Sequence, residues 1–130
     1  RKELIKGGGG ALTREKILAY SSDQFICIVD ETKHTDLLGR FPLPIEVIEI
    51  ARSAISRELM KMGGKPVFRN GFTTDNGHQI IDIHNLPIEV PYDLEAEINN
   101  IPGVIENGIF ANRKADIIVC ASDNNIEVIE

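Results

Sequence analysis

The order of strands and helices predicted between residues 44 and 110 constrains this fold more than any other sequence feature. Hydrophobic residues alternate where strands are expected and recur every three or four positions where helices are expected. The predicted elements are a strand at 44–50, a helix at 51–62, strands at 66–72 and 79–84, a helix at 93–100 and a strand at 104–110. This β-α-β-β-α-β order predicts a ferredoxin-like subdomain.

Apolar runs on both sides of this unit predict a second sheet. Residues 25–29, 115–121 and 126–129 are short runs rich in β-branched residues, and we expect them to pair with one another. We therefore predict an α/β fold with two parts. Residues 1–41 and 115–130 would form part of a Rossmann-like open-sheet domain, and residues 42–114 the ferredoxin-like subdomain.

Composition limits the partners that this chain can have. The 130 residues carry a net charge of −6, which argues against a nucleic-acid partner because phosphate backbones are held by Lys and Arg. No apolar stretch approaches the roughly 20 residues that span a bilayer, and we expect no signal peptide. Cys27 and Cys120 lie inside apolar runs, where buried, reduced thiols are expected. These features favour a cytoplasmic protein.

The segment Lys6-Gly7-Gly8-Gly9-Gly10 is the sharpest local feature of the sequence. Consecutive glycines let a backbone approach a ligand and turn its N–H groups inward, and Lys6 adds a positive charge. A flexible loop near a chain terminus explains the same composition equally well. The segment matches neither the phosphate loop that ends in Gly-Lys-Ser/Thr nor the G-x-G-x-x-G pattern.

Other polar residues each allow a functional and a simpler interpretation. Thr13 is a plausible N-cap of a helix that extends to about residue 21, so Glu15 would lie in its first turn, as a partner of the helix dipole or as a general base. Lys33 follows the strand at 25–29, where ligands bind in open sheets, but a solvated loop lysine is commoner. Residues 112–114 (Asn-Arg-Lys) could reach a phosphate, although a turn with two solvated cations is simpler. The three histidines lack metal-ligand spacing, so no metal site is expected.

Residues 6–16 resemble the K-G-G-G-(small)-A-L-x-R-E-K signature of type A ribose-5-phosphate isomerases. The resemblance continues in the family's order along essentially the whole chain. It includes Asp30-Glu31-Thr32-Lys33, residues 38–47 (LGRFPLPIEV), residues 74–78 (TDNGH), residues 101–104 (IPGV) and residues 108–110 (GIF). The first signature and the L-G-x-F-P-L-P-x-E-V run are specific enough to leave little room for chance.

The resemblance implies an aldose–ketose isomerase that interconverts ribose 5-phosphate and ribulose 5-phosphate in the non-oxidative pentose phosphate pathway. It implies that Glu15 is the general base, that Lys6 stabilises the oxyanion and that Lys33 contacts substrate. Gly7, Gly8, Gly9 and Gly10 would line the sugar with backbone amides. No metal or organic cofactor is expected, and the family's homodimers or homotetramers imply oligomer contacts through residues 42–114.

Two further expectations concern the extent of the chain and the alternative to an isomerase function. The family's G-T-G-S-T phosphate loop and D-G-A-D-E motif are absent, and Arg1 stands where a strand before the glycines would be cut short. We therefore expect a fragment of a longer protein, inactive or very weak by itself. A small-molecule-binding regulatory module is the alternative from another functional class, because the β-α-β-β-α-β order alone does not fix function.

Overall fold

The computed structural model of this chain describes residues 2–30 and 41–130. Lys33 therefore lies outside the described residues. In chain order the elements are β1 (Leu4–Ile5), α1 (Leu12–Ser21), β2 (Ile26–Asp30), β3 (Leu43–Val47), a 3₁₀ turn (Glu49–Ala51), α2 (Arg52–Lys61), β4 (Lys65–Phe68), β5 (Gln79–His84), α3 (Pro91–Asn99), β6 (Val104–Asn107), β7 (Ile109–Phe110), β8 (Ile117–Ala121) and β9 (Ile126–Ile129). Across the described ranges, no helix is long and apolar enough to cross a membrane.

Strands β3 to β6 form an antiparallel sheet that confirms the predicted β-α-β-β-α-β order. The strands lie side by side in the order β4-β5-β3-β6. Alternate residues of β3 share a buried apolar cluster with Ile55 and Leu59 of α2 and Ile98 of α3. Because both helices contribute to this cluster, they pack on one face of the sheet. Glu46 of β3 points to the opposite face, where it meets helix α1.

The second sheet contains β2, β8 and β9, as the apolar runs predicted. Strand β2 runs parallel to β8, and β8 pairs with β9 in an antiparallel register. Cys27 and Ile118 bury their side chains together at this sheet. Both cysteines are buried and free, as expected. The α/β fold class is confirmed, whereas the division into residues 1–41 with 115–130 and residues 42–114 stays a prediction.

The predicted strand at 104–110 is wrong as one continuous element. It divides at Gly108 into β6, which extends the four-stranded sheet, and β7, which pairs with β1. Gly108 links the two strands at a crowded position. A Cβ there would lie 2.4 Å from the Lys6 carbonyl oxygen and 3.0 Å from Pro44, so a residue without a side chain fits. Other predicted elements differ by shifted ends. The strand predicted to residue 50 ends at Val47, because the chain turns there into the 3₁₀ segment before α2.

Helix α1 begins two residues before the position that the sequence suggested. Its first residue is Leu12, and Ala11 occupies the cap position without a side-chain hydrogen bond. Thr13 is therefore not the N-cap. Its hydroxyl donates instead to the Glu46 carboxylate across a distance of 2.5 Å. This tertiary contact with the four-stranded sheet explains why a residue typical of a helix cap lies within the first turn.

Candidate active site

The four glycines after β1 form a tight turn in which only two of them are crowded. The Gly10 N–H donates to the Gly7 carbonyl at 2.8 Å, and both residues have positive φ, +92° and +96°. A Cβ on Gly7 would lie 2.4 Å from the Leu12 Cβ, and one on Gly10 would lie 2.3 Å from the Phe72 ring. Gly8 and Gly9 are exposed, with no atom within 4 Å of the position of an added Cβ. The turn thus offers exposed backbone at its tip.

Lys6 and Glu15 meet beside this turn. The Lys6 ammonium nitrogen lies 2.9 Å from Glu15 Oε2, and the two side chains remain 26% and 34% exposed. Lys6 is fixed by the hydrogen bond from its backbone N–H to the Gly108 carbonyl, while Glu15 lies in the first turn of α1. The structure therefore brings together a carboxylate that can accept a proton and a cation that can stabilise an adjacent oxyanion, both open to a ligand.

The Cys27 thiol lies within electrostatic range of the same pair. Burial raises the pKa of the Cys27 thiol above 9.0; the positive charge of Lys6 acts in the opposite direction, and the carboxylate of Glu15 reinforces the rise. The thiol consequently stays protonated at neutral pH. Because the thiolate is the nucleophilic form of cysteine, Cys27 is unsuited to covalent chemistry at this site.

Arg69 supports the glycine turn from the four-stranded sheet. Its guanidinium donates to both carboxylate oxygens of Asp82, at 2.6 and 2.8 Å, and to the Gly8 carbonyl at 3.1 Å. It also lies 5.2 Å from the centre of the Phe72 ring, the ring that packs against Gly10. Sequence reasoning missed Arg69, because it fell within a predicted strand and nothing local linked it to glycines 61 residues earlier.

A buried carboxylate holds the start of α1. Glu46 is fully buried and accepts hydrogen bonds from the Thr13 hydroxyl at 2.5 Å, the Thr74 hydroxyl at 2.8 Å and the Asn76 amide at 3.2 Å. The predicted turn at 74–77 is present, with Gly77 at φ +81°. Glu46 thereby connects this turn to the helix that carries Glu15. No local pattern indicated this role of Glu46, since a polar residue in an alternating strand is normally expected to be exposed.

A buried lysine fixes the same helix from its other side. The Lys16 ammonium bonds to Glu95 at 2.8 Å and to Glu106 at 2.9 Å. It also donates to the backbone carbonyls of Asn107 and Ile109. These partners are 79 to 93 residues away in the sequence, so no local pattern indicated them.

The remaining predicted residues have structural partners or lie outside the described ranges. Arg113 is not a solvated cation: it donates to the Ala19 and Ser22 carbonyls near the end of α1 and pairs with Asp116 at 3.0 Å. Lys114 is exposed, as expected. Lys33 is not among the described residues. Within residues 2–30 and 41–130, no three His, Cys, Asp or Glu side chains cluster as metal ligands would.

Comparisons with known proteins identify the relatives of this fold and site. The family model described as ribose 5-phosphate isomerase A (phosphoriboisomerase A) matches residues 1–125. The ribose 5-phosphate isomerase A of Neisseria gonorrhoeae is 51% identical, with a TM-score of 0.96, over 98% of this chain and 57% of its own. The enzyme of Methanocaldococcus jannaschii is 44% identical, with a TM-score of 0.92, over 98% and 59%.

A third solved structure is a D-ribose-5-phosphate isomerase in complex with phospho-erythronic acid. It is 46% identical to this chain, with a TM-score of 0.94, over 98% of this chain and 58% of its own. The present chain therefore spans less than two thirds of the length of these relatives.

Proposed function

Because the chain belongs to the ribose 5-phosphate isomerase A family, we propose that the full-length protein interconverts D-ribose 5-phosphate and D-ribulose 5-phosphate. The observation that carries the proposal is the 2.9 Å contact between Lys6 and Glu15 beside the exposed glycine turn. The regulatory-module alternative explains neither this pair nor the family match over residues 1–125.

The geometry supports proton transfer through an enediolate. Glu15 would remove the proton from C2 of the open-chain aldose and return it to C1, while the hydroxyl proton moves from O2 to O1. The electron pair left at C2 passes to the carbonyl oxygen, where Lys6 would stabilise the negative charge. Because Lys6 Nζ and Glu15 Oε2 are 2.9 Å apart, one substrate carbon and its oxygen can reach both groups.

We propose that the sugar binds at the tip of the glycine turn. Gly8 and Gly9 carry no side chain and have open space beside them, so a ligand can approach their backbone closely. We include Gly7 and Gly10 as the residues that shape this turn, and Lys33 as a further substrate contact. A relative binds phospho-erythronic acid, whose carboxylate resembles an enediolate in charge and in its two oxygens.

The finer biological setting is also proposed. We propose a cytoplasmic enzyme of the pentose phosphate pathway that needs no metal or organic cofactor and acts as a homodimer or homotetramer through residues 42–114. The two free, buried cysteines suit a reducing compartment. Light scattering on the full-length protein tests the oligomer, and a strict monomer would contradict it.

The Glu15→Gln variant of the full-length protein tests the catalytic proposal. Its amide keeps the size of the side chain but cannot act as the base, so kcat should fall by about 10²–10⁴-fold. Formation of ribulose 5-phosphate is followed by proton NMR in D₂O, where the enediolate route also places solvent deuterium on the carbon that receives the proton. Glu97→Gln, an exposed change on α3, is the matched control. Turnover retained in Glu15→Gln would remove Glu15 from the base role.

A further inference from the structure

The segment Asn107-Gly108-Ile109 between β6 and β7 holds the backbone of Lys6. The Gly108 carbonyl accepts the Lys6 N–H at 2.9 Å, and the Gly108 N–H donates to the Pro44 carbonyl at 2.9 Å. Strand β1 pairs with β7 immediately beyond, with Ile5 opposite Ile109. The position of Lys6 is therefore set by this three-residue segment.

The same segment holds helix α1 through the side chain of Lys16. The Lys16 ammonium donates to the Asn107 carbonyl at 2.8 Å and to the Ile109 carbonyl at 2.7 Å, one on each side of Gly108. Glu15 precedes Lys16 directly on this helix. Residues 107–109 therefore support both members of the ion pair: they bond to the backbone of Lys6 directly, and they hold the helix of Glu15 through Lys16.

Two carboxylates offset the cost of burying the Lys16 charge and hold its side chain in one position. Lys16 is only 9% exposed, and a buried ammonium is costly unless it is paired and hydrogen-bonded. Glu95 accepts from Lys16 with one oxygen and from the Ala111 and Asn112 N–H groups with the other. Glu106 accepts from Lys16 at 2.9 Å. A network in which every member is bonded has little freedom to shift.

We propose that Lys16 is a positioning residue, and that it sets the Lys6–Glu15 distance by fixing α1 to the segment that holds Lys6. This inference rests on the proposed isomerase function, because the distance matters only if the pair performs chemistry. Lys16 bonds to Glu95, Glu106 and the carbonyls of residues 107 and 109, so it would act through the helix that carries Glu15.

A double-mutant cycle on the full-length protein separates this role from simple stabilisation. Lys16→Met should lower kcat by about 10²-fold with little change in KM, which is the effect of displacing a reacting group by about 1 Å. In the Glu15→Gln background the same change should lower kcat by less than about threefold, because the group it positions is already absent. An unchanged kcat in Lys16→Met, or equal losses in both backgrounds, would overturn the proposal.

Gly108→Ala tests the Lys6 side of the same support without removing a buried charge. If Lys16→Met does not fold, Lys16→Arg, which keeps the charge but changes the reach of the head group, tests the Lys16 side in the same cycle, and an unchanged kcat there would overturn the proposal. The new Cβ would lie 2.4 Å from the Lys6 carbonyl oxygen, whereas ordinary contact begins at 3.4 Å, so the distance between Lys6 and residue 108 must increase by about 1 Å. We again expect a fall in kcat of about 10²-fold. Gly64→Ala is the matched control, since its Cβ would lie 2.5 Å from Ile83 in the apolar core, away from the pair.

The outcomes of this comparison are distinct. A loss of kcat in Gly108→Ala but not in Gly64→Ala supports the premise that residues 107–109 set the position of Lys6, whereas equal effects in the two variants remove this premise and overturn the proposal. Failure of the wild-type protein to isomerise ribose 5-phosphate would refute the proposed function instead. In that event the crystal structure of Gly108→Ala still tests the support, since an unchanged Lys6–Glu15 distance of 2.9 Å would contradict it.

Discussion

Replacing Gly10 by alanine tests whether the glycine turn is a packed structure or a loose loop. Gly10 has a φ of +92°, a conformation that residues with a Cβ rarely adopt, and its added Cβ would lie 2.3 Å and 2.6 Å from two carbons of the Phe72 ring. The Phe72 ring is itself in contact with the Arg69 guanidinium. Relief of the clash therefore requires that ring or the turn to move.

The expected loss of stability follows from these two effects. A positive φ costs a residue with a Cβ about 1–2 kcal/mol, and overpacking costs about 1–3 kcal/mol. Alanine also reduces the entropy of the unfolded chain, which returns up to about 1 kcal/mol. The free energy of unfolding of Gly10→Ala should therefore fall by about 1–5 kcal/mol. Urea unfolding of the full-length protein, followed by circular dichroism, measures this difference.

Two other glycines and one double variant separate the contributions. Gly9→Ala adds a Cβ into open space at a residue without positive φ, so its stability should stay within about 0.5 kcal/mol of wild type. Gly71→Ala meets no atom but has a φ of +74°, so it should show the backbone cost alone. Adding Phe72→Ala to Gly10→Ala should remove the clash energy, giving a favourable coupling. Equal stability of Gly10→Ala and Gly9→Ala would refute the packed turn.

Three further predictions concern buried or bonded polar groups. The Arg113 hydrogen bond holds the pKa of Asp116 below 3.8, so its contribution to stability is present above that pH and is lost as pH falls through the lower folded-state pKa. Asp116→Asn should flatten this acid limb in urea titrations. The pKa of Cys27 is raised above 9.0, so stability should fall as pH rises through and beyond that value, and iodoacetamide should react more slowly with Cys27 than with glutathione at neutral pH. Glu46→Gln leaves hydroxyl donors facing an amide and should cost about 1–3 kcal/mol in thermal or urea unfolding, whereas exposed Glu49→Gln should cost little.

The parts of the fold with a clear local signal were predictable from the sequence. Strand β5 has the predicted bounds, because an alternating run there follows the turn at 74–77; strand β9 also matches. The division at Gly108 was not predictable, since apolar residues occur on both sides, at 104–105 and at 109–110, and a glycine within such a run does not by itself mark a change of sheet. Its cause is the approach of Lys6 and Pro44, which come from distant parts of the chain.

The same limit applies to the candidate site. Lys6 and Glu15 were suggested by a lysine, glycines and a helix-borne carboxylate within ten residues, and the family resemblance supplied their roles. Lys16 and Glu46 were missed because the burial of a charge depends on its partners. Those of Lys16 are 79 to 93 residues away, and Thr13 and Thr74 lie 33 and 28 residues from Glu46. Composition and periodicity do not carry such information.

The residues of the signature at 6–16 are therefore required by the packing of the fold as well as by the proposed chemistry. Lys6 and Glu15 are its reacting candidates, but Gly7 and Gly10 are required by the contacts of Leu12 and Phe72. Thr13 and Lys16 fix the helix to the sheet and to the 107–109 segment. A chain that kept only the lysine and the glutamate would lack these contacts between the start of the helix, the turn and the sheet. In this chain Glu46, Glu95 and Gly108 supply the partners that hold the motif in place.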